Sequence, residues 1–135
     1  MANEGVSEQI CNASITIFTN GILALCRENK ELDCLDKQEV KSFTETLALL
    51  LVEEVANCED SILTACLALK CLELMFSHSK SIHDILAKSK RFEILVTRAY
   101  MYGCREHLML ENTAFTLLQV LQISSFKKEN LNKEK

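Results

Sequence analysis

The apolar stretch Asp60–Phe76 (DSILTACLALKCLELMF) constrains the fold of this chain more than any other feature. Only Lys70 and Glu73 are charged inside it. Because it is long, lacks Gly and Pro and has few β-branched residues, it predicts a helix that is buried on most of its sides. Asp60 or Ser61 is placed to cap the start of this helix.

A second stretch, Met109–Ile123 (MLENTAFTLLQVLQI), has the same apolar character. At a spacing of 49 residues the two stretches share small or apolar positions, including Ala65 with Ala114 and Leu69 with Leu118. A pattern that recurs at a fixed spacing predicts a helical repeat.

The composition favours helices over strands. The chain has 135 residues, of which 48% are hydrophobic and 25% charged, with no Pro and three Gly. So few residues that break helices predict an all-α fold joined by short polar turns. We expect one helical-repeat domain over residues 1–126 and a charged flexible tail over residues 127–135.

Apolar periodicity predicts five long or medium helices and a short one. The predicted bounds run from Ser7 or Glu8 to Arg27, then Lys37–Asn57, Asp60–Phe76, Ile82–Lys88, Phe92–Tyr102 and Glu106–Phe126. Leu32 and Leu35 suggest a further single turn. We expect Ser81 to cap the short helix and Gly103 to end the next one in a left-handed conformation.

The order of short, medium and long helix resembles the armadillo repeat. Phe92-x-x-Leu95-Val96 is similar to the medium-helix pattern of that family, and Asn112-x-Ala114 with the leucines after it is similar to its long helix. Lys90 stands where such units usually have Gly. The resemblance implies a right-handed armadillo/HEAT-like stack of about two and a half units. A closed four- or five-helix bundle is the alternative.

Polar side chains on the long helices are the candidate binding site. They recur at spacings of three or four residues, so those on one helix share a face. The predicted peptide-binding residues are Asn12, Thr16, Lys70, Glu73, Asn112, Thr116 and Gln119. In armadillo-like proteins the long helices line a groove for extended peptides, and Asn side chains bind the peptide backbone. The resemblance implies this role for Asn12 and Asn112. The alternative is an ordinary solvent-facing surface.

The last predicted helix has apolar residues on all sides, and one neighbouring helix cannot cover them all. An exposed apolar face of some hundreds of Å² is unusual for a soluble monomer. We therefore predict an interface at Leu110 and Leu117, with a second copy, a following unit of a larger protein or a different chain.

Catalytic and metal-binding patterns are weak. The seven Cys include no CxxC pair, and Cys71, His78 and His83 lack the paired spacing of zinc ligands. Cys104 and His107 are one helical turn apart, but no third orienting group is specified. We therefore expect that the chain is not an enzyme and that it binds no cofactor, metal or small-molecule substrate. The alternatives are a small enzyme or regulator with a reactive Cys, and a helical-bundle inhibitor with a helix-binding groove.

Charge and hydropathy narrow the class of partner. The net charge is −4 and no extended basic block occurs, so we expect no nucleic-acid binding. The longest charge-free run, Gln9–Cys26, is too polar for a membrane span, and the polar N-terminus does not resemble a signal peptide. The expected lack of a signal peptide, together with the odd number of Cys, predicts a protein of the cytoplasm or nucleus. We expect a protein-binding module there.

Overall fold

The fold is all-α, as the composition predicts. The computed structural model describes the backbone of residues 2–28 and 38–133 and the side chains of residues 7–24 and 41–122. These ranges contain no strand. The helices are α1 (Ala2–Glu28), α2 (Gln38–Ala56), α3 (Ile62–His78), α4 (Lys80–Ala87), α5 (Lys90–Glu106) and α6 (Leu108–Lys133).

Helix α3 forms the centre of the molecule. It packs against α1, α2, α4 and α6. Its fully buried side chains include Leu69, Leu72 and Met75, each 0% exposed. The sequence prediction of a helix buried on most of its sides is therefore confirmed.

Helices α1 and α3 run in the same direction. The hydroxyl of Ser61, before the first turn of α3, lies 2.6 Å from Glu8 Oε1 in the early part of α1. One turn further along both helices, Thr64 donates a hydrogen bond to Asn12 Oδ1. Ser61 is the N-cap residue of α3. Its side chain bonds the side chains of Glu8 and Thr64 and not a backbone N–H of the helix.

Helices α5 and α6 form an antiparallel hairpin, and this pair has the most extensive packing of the fold. About two turns from the connection between the two helices, the rings of Tyr100 and Phe115 lie 5.7 Å apart between centroids. Nearer the turn, Gly103 packs against the backbone of Leu110 and Glu111. Helix α2 contacts the same hairpin through α5.

The predicted role of Gly103 as a helix stop is wrong. Helix α5 continues to Glu106, and none of the described glycines has a positive φ. A Cβ at position 103 would lie 2.8 Å from Glu111 Cα and 2.9 Å from the Leu110 carbonyl carbon. This position therefore needs Gly because two helix backbones approach closely there, and not because the chain turns.

The cap of α4 also differs from the prediction. Ser79, and not Ser81, precedes the helix in extended conformation, and its Oγ accepts a hydrogen bond of 3.1 Å from Ile82 N–H. Ser81 lies inside α4 and donates to Glu45 Oε1 of α2 at 2.7 Å. Ser89 caps α5 by accepting from Phe92 N–H at 3.1 Å.

The first and last helices are longer than predicted. Helix α1 begins at Ala2 and runs unbroken through Gly21, and α6 extends to Lys133, into the segment predicted as a tail. No Gly or Pro follows Gly103 in the sequence, so nothing in the composition stops α6 earlier. The turn suggested at Leu32 and Leu35 lies outside the described residues.

Within the described part of the chain, no single helix has the length and hydropathy needed to cross a membrane. Helices α3 and α4 meet those requirements only as a pair, and they are bent by 116° at the break between them.

Candidate functional site

An open groove of about 470 Å³ lies between α3 and α6. Helix α3 contributes the two charged residues of its sequence, and α6 contributes the remaining lining. The lining residues are Lys70, Glu73, Leu108, Met109, Asn112, Thr113 and Thr116.

The α6 side of the groove is a single helix face, because Met109, Asn112, Thr113 and Thr116 recur at spacings of three or four residues. The hydroxyl of Thr113 donates to Met109 O at 2.7 Å, and that of Thr116 donates to Asn112 O at 2.9 Å. Their protons are thus directed to the backbone of α6. The exposed side-chain amide of Asn112 has no hydrogen-bond partner among the described residues, so it can offer both a donor and an acceptor to a ligand.

The α3 side of the groove carries one charge of each sign. Lys70 is exposed and Glu73, one turn later, is half-buried. Burial raises the pKa of the Glu73 carboxyl above its ordinary value, because the charged form loses solvation. Neither side chain forms an ion pair or hydrogen bond with another described residue. Both are therefore available to a ligand in the groove.

Two large apolar side chains complete the lining. Leu108 is 69% exposed and Met109 is 41% exposed, and both lie at the start of α6. An apolar surface beside a few unpaired polar groups is typical of a binding site, where the polar groups orient the ligand.

The groove brings together four of the seven predicted peptide-binding residues, namely Lys70, Glu73, Asn112 and Thr116. These were recognisable because the charged and polar residues of α3 and α6 interrupt otherwise apolar helices. Leu108, Met109 and Thr113 were missed, although Met109 and Thr113 are within one turn of Asn112 and the helical spacing alone could have included them.

The other three predicted residues lie elsewhere. Asn12 is half-buried and accepts the hydrogen bond from Thr64, so its side chain joins α1 to α3. Thr16 is exposed and donates to Asn12 O at 2.9 Å. Gln119 is exposed on α6 but does not line the groove.

The predicted interface residues Leu110 and Leu117 are both 0% exposed and belong to the core of this chain. This corrects the expectation that they form an outer face. The expectation counted one neighbour for the last helix, whereas α6 packs against both α5 and α3. The exposed apolar residues of α6 include Leu108 and Phe115 instead.

Comparison with known protein families, with curated proteins and with solved structures gives no match. The interpretation of the groove therefore depends on its own geometry and chemistry.

The cysteines differ mainly in burial. Burial raises the thiol pKa of Cys66 and Cys71 inside α3, which keeps both protonated at neutral pH. Cys104 is exposed, with its Sγ 3.5 Å from Glu111 Oε1. His107 Nδ1 instead accepts a hydrogen bond of 3.2 Å from Met109 N–H. The described residues include no cluster of three or more His, Cys, Asp or Glu that could hold a metal ion.

Proposed function

We propose that this chain is a non-enzymatic interaction module that binds an extended peptide segment of a partner protein in the groove between α3 and α6. The observation that carries the proposal is the unpaired Asn112 amide beside the exposed Leu108 and Met109. A primary amide matches the alternating N–H and C=O groups of an extended backbone, because it can donate to one and accept from the other.

Three parts of the groove then have separate tasks. Asn112 fixes the peptide backbone, and Leu108 with Met109 covers an apolar side chain of the peptide. Lys70 and Glu73 select its charged side chains. Met is well suited to such a surface because its flexible side chain adapts to different ligands.

The packing of the helices supports a stack of the armadillo/HEAT type. The long helices α1, α3 and α6 are neighbours in that order, and the medium helices α2 and α5 pack against each other. Parallel packing of α1 and α3 fits two successive units that repeat in one direction. A closed bundle would bring α1 against α5 or α6, whereas the described part of α1 packs extensively only on α3. Seven Cys fit a reducing compartment, so we expect the partner in the cytoplasm or nucleus.

The test is selection of binders from a displayed library of short peptides, followed by measurement of their affinity for purified variants. Asn112→Ala should weaken binding by about tenfold or more, equal to about 1.4 kcal/mol, because two hydrogen bonds to the peptide are lost. Gln119→Ala is the matched control, since Gln119 is an exposed amide on the same helix outside the groove.

Binding to Gln119→Ala should equal binding to the unmodified chain. A library without binders, or binders that are insensitive to Asn112→Ala, would contradict the proposal. Chemical-shift changes in NMR spectra of the labelled protein should map selected peptides to the lining residues of α3 and α6.

A further inference from the structure

Helix α5 exposes a second surface, which we call the arginine stripe. It consists of Arg91, Ile94, Arg98, Met101 and Arg105, all of them exposed. Their spacing alternates between three and four residues, so at about 100° per residue they occupy roughly 80° of the helix circumference. Ile94 is 58% and Met101 is 59% exposed, which is high for apolar side chains at the centre of a helix face.

The stripe faces away from the core and is separate from the groove. The buried residues of α5 include Phe92, Val96, Ala99 and Gly103, which lie on the other side of the helix. Among residues with described side chains, those that line the groove all belong to α3 and α6. A ligand on the stripe would therefore occupy a different surface from the peptide proposed above.

The stripe is a local concentration of positive charge. Helix α5 has four basic residues and two acidic ones, and neither acidic residue belongs to the stripe, in a chain whose net charge is −4. Arg91 pairs with Glu53 of α2 at 2.8 Å. Arg98 and Arg105 form no ion pair with a carboxylate of the described residues. Two guanidinium groups, two turns apart, are thus available to a partner.

We propose that the arginine stripe docks an acidic amphipathic helix of a partner protein. An alternation of three and four residues is the spacing at which one helix packs along another. The apolar side of the partner helix covers Ile94 and Met101, while its Glu or Asp side chains reach Arg98 and Arg105. Arginine suits this role because its planar group binds a carboxylate through two hydrogen bonds.

Charge decides against pairing of the stripes of two copies of this chain. Pairing two stripes would place the arginines of both copies in one interface without carboxylates from either stripe. Like charges brought together in this way oppose association. The surface therefore fits a partner of opposite charge.

The experiment uses two synthetic helices, stapled to hold their conformation, as probes. Both carry Leu opposite Ile94 and Met101. The first carries Glu and the second carries Lys opposite Arg98 and Arg105. Affinities are measured by fluorescence anisotropy for the unmodified chain, for R98E/R105E and for the control K41E/K88E. The control makes the same change in net charge at two exposed lysines outside the stripe.

The Glu helix should bind the unmodified chain and the control equally, and R98E/R105E should weaken it by at least about tenfold. R98E/R105E should in turn gain affinity for the Lys helix, which also shows that the variant is folded. Failure of the Glu helix to bind, or equal binding to both variants, would overturn the proposal. Phosphatidylserine vesicles or a DNA duplex that displace the Glu helix, and bind more tightly through the same arginines, would overturn it in favour of a lipid or nucleic-acid partner.

Discussion

Gly21 and Gly103 both lie within helices, but their surroundings differ. A Cβ at Gly21, in the exposed part of α1, would have no neighbouring heavy atom of the described residues within 4 Å. A Cβ at Gly103 would overlap the backbone of α6. A methyl group added by substitution with Ala should therefore have opposite effects on stability at the two positions.

Gly21→Ala should raise the free energy of unfolding by about 0.5–1 kcal/mol, because Ala has the higher helix propensity and nothing opposes the methyl group. Gly103→Ala should lower it by about 1–3 kcal/mol, since α5 and α6 must move apart. Urea unfolding followed by circular dichroism measures both. Equal stabilisation by the two substitutions would show that α5 and α6 are not in close contact at Gly103.

Glu73 makes the stability of the folded chain depend on pH. Burial raises its pKa in the folded state, so the folded protein binds this proton more tightly than the unfolded chain does. The resulting stabilisation is complete below the ordinary carboxyl pKa of about 4.3 and is lost as the pH rises through the higher folded value.

Glu73→Gln removes the carboxylate while it keeps the shape of the side chain. The variant should be more stable than the unmodified chain at pH 7, and this advantage should disappear near pH 3, where Glu73 is protonated in both states. Thermal melting at the two pH values measures the difference. A variant that is less stable at pH 7 would indicate that the Glu73 carboxylate has a favourable partner in the folded state.

At the scale of the helices, α1 is held to α3 by polar contacts near the start of α3. Asn12 accepts from Thr64, which is 2% exposed, and Glu8 contacts Ser61. These contacts fix how far α1 slides along α3. The sequence showed that Asn12 and Asn112 occupy similar positions on long helices, but it could not show that a neighbouring side chain already occupies Asn12.

Asn12→Ala should therefore lower the free energy of unfolding by about 1–2 kcal/mol, because the buried hydroxyl of Thr64 loses its acceptor. It should leave the affinity for groove-bound peptides unchanged. Asn112→Ala should instead weaken peptide binding and leave the free energy of unfolding unchanged. Urea unfolding and peptide titration of both variants separate the two roles. Loss of peptide affinity in a folded Asn12→Ala protein would show that Asn12 takes part in peptide binding.

The exposed and buried leucines of α6 provide a test of its position. Leu110→Glu and Leu117→Glu should each unfold the chain, because a carboxylate would be placed in the core without a partner. Leu108→Glu, at a side chain that is 69% exposed, should leave the chain folded. Circular dichroism and sedimentation compare the three variants. A folded Leu117→Glu protein that becomes more monomeric would instead support the interface predicted from the sequence.

At the scale of the whole molecule, the sequence predicts most strongly what depends on composition. The apolar run of α3 leaves few positions that can face water, so its central burial was predictable. The burial of Leu110 and Leu117 was not, since periodicity identifies apolar residues but not how many helices cover them. The sequence also predicts that Gly103 ends a helix in a left-handed conformation, whereas the need for Gly there arises from the backbone of the neighbouring helix α6.

The burial of α3 has a consequence for how fast and how tightly the groove binds. Lys70 and Glu73 are solvent-accessible residues of α3, the helix that packs against most of the others. The backbone amide hydrogens of α3 should therefore exchange with solvent only when the whole domain opens. We therefore expect that side of the groove to be rigid before any ligand arrives. Little backbone entropy is lost there on binding, and a peptide can dock without waiting for a rearrangement of α3.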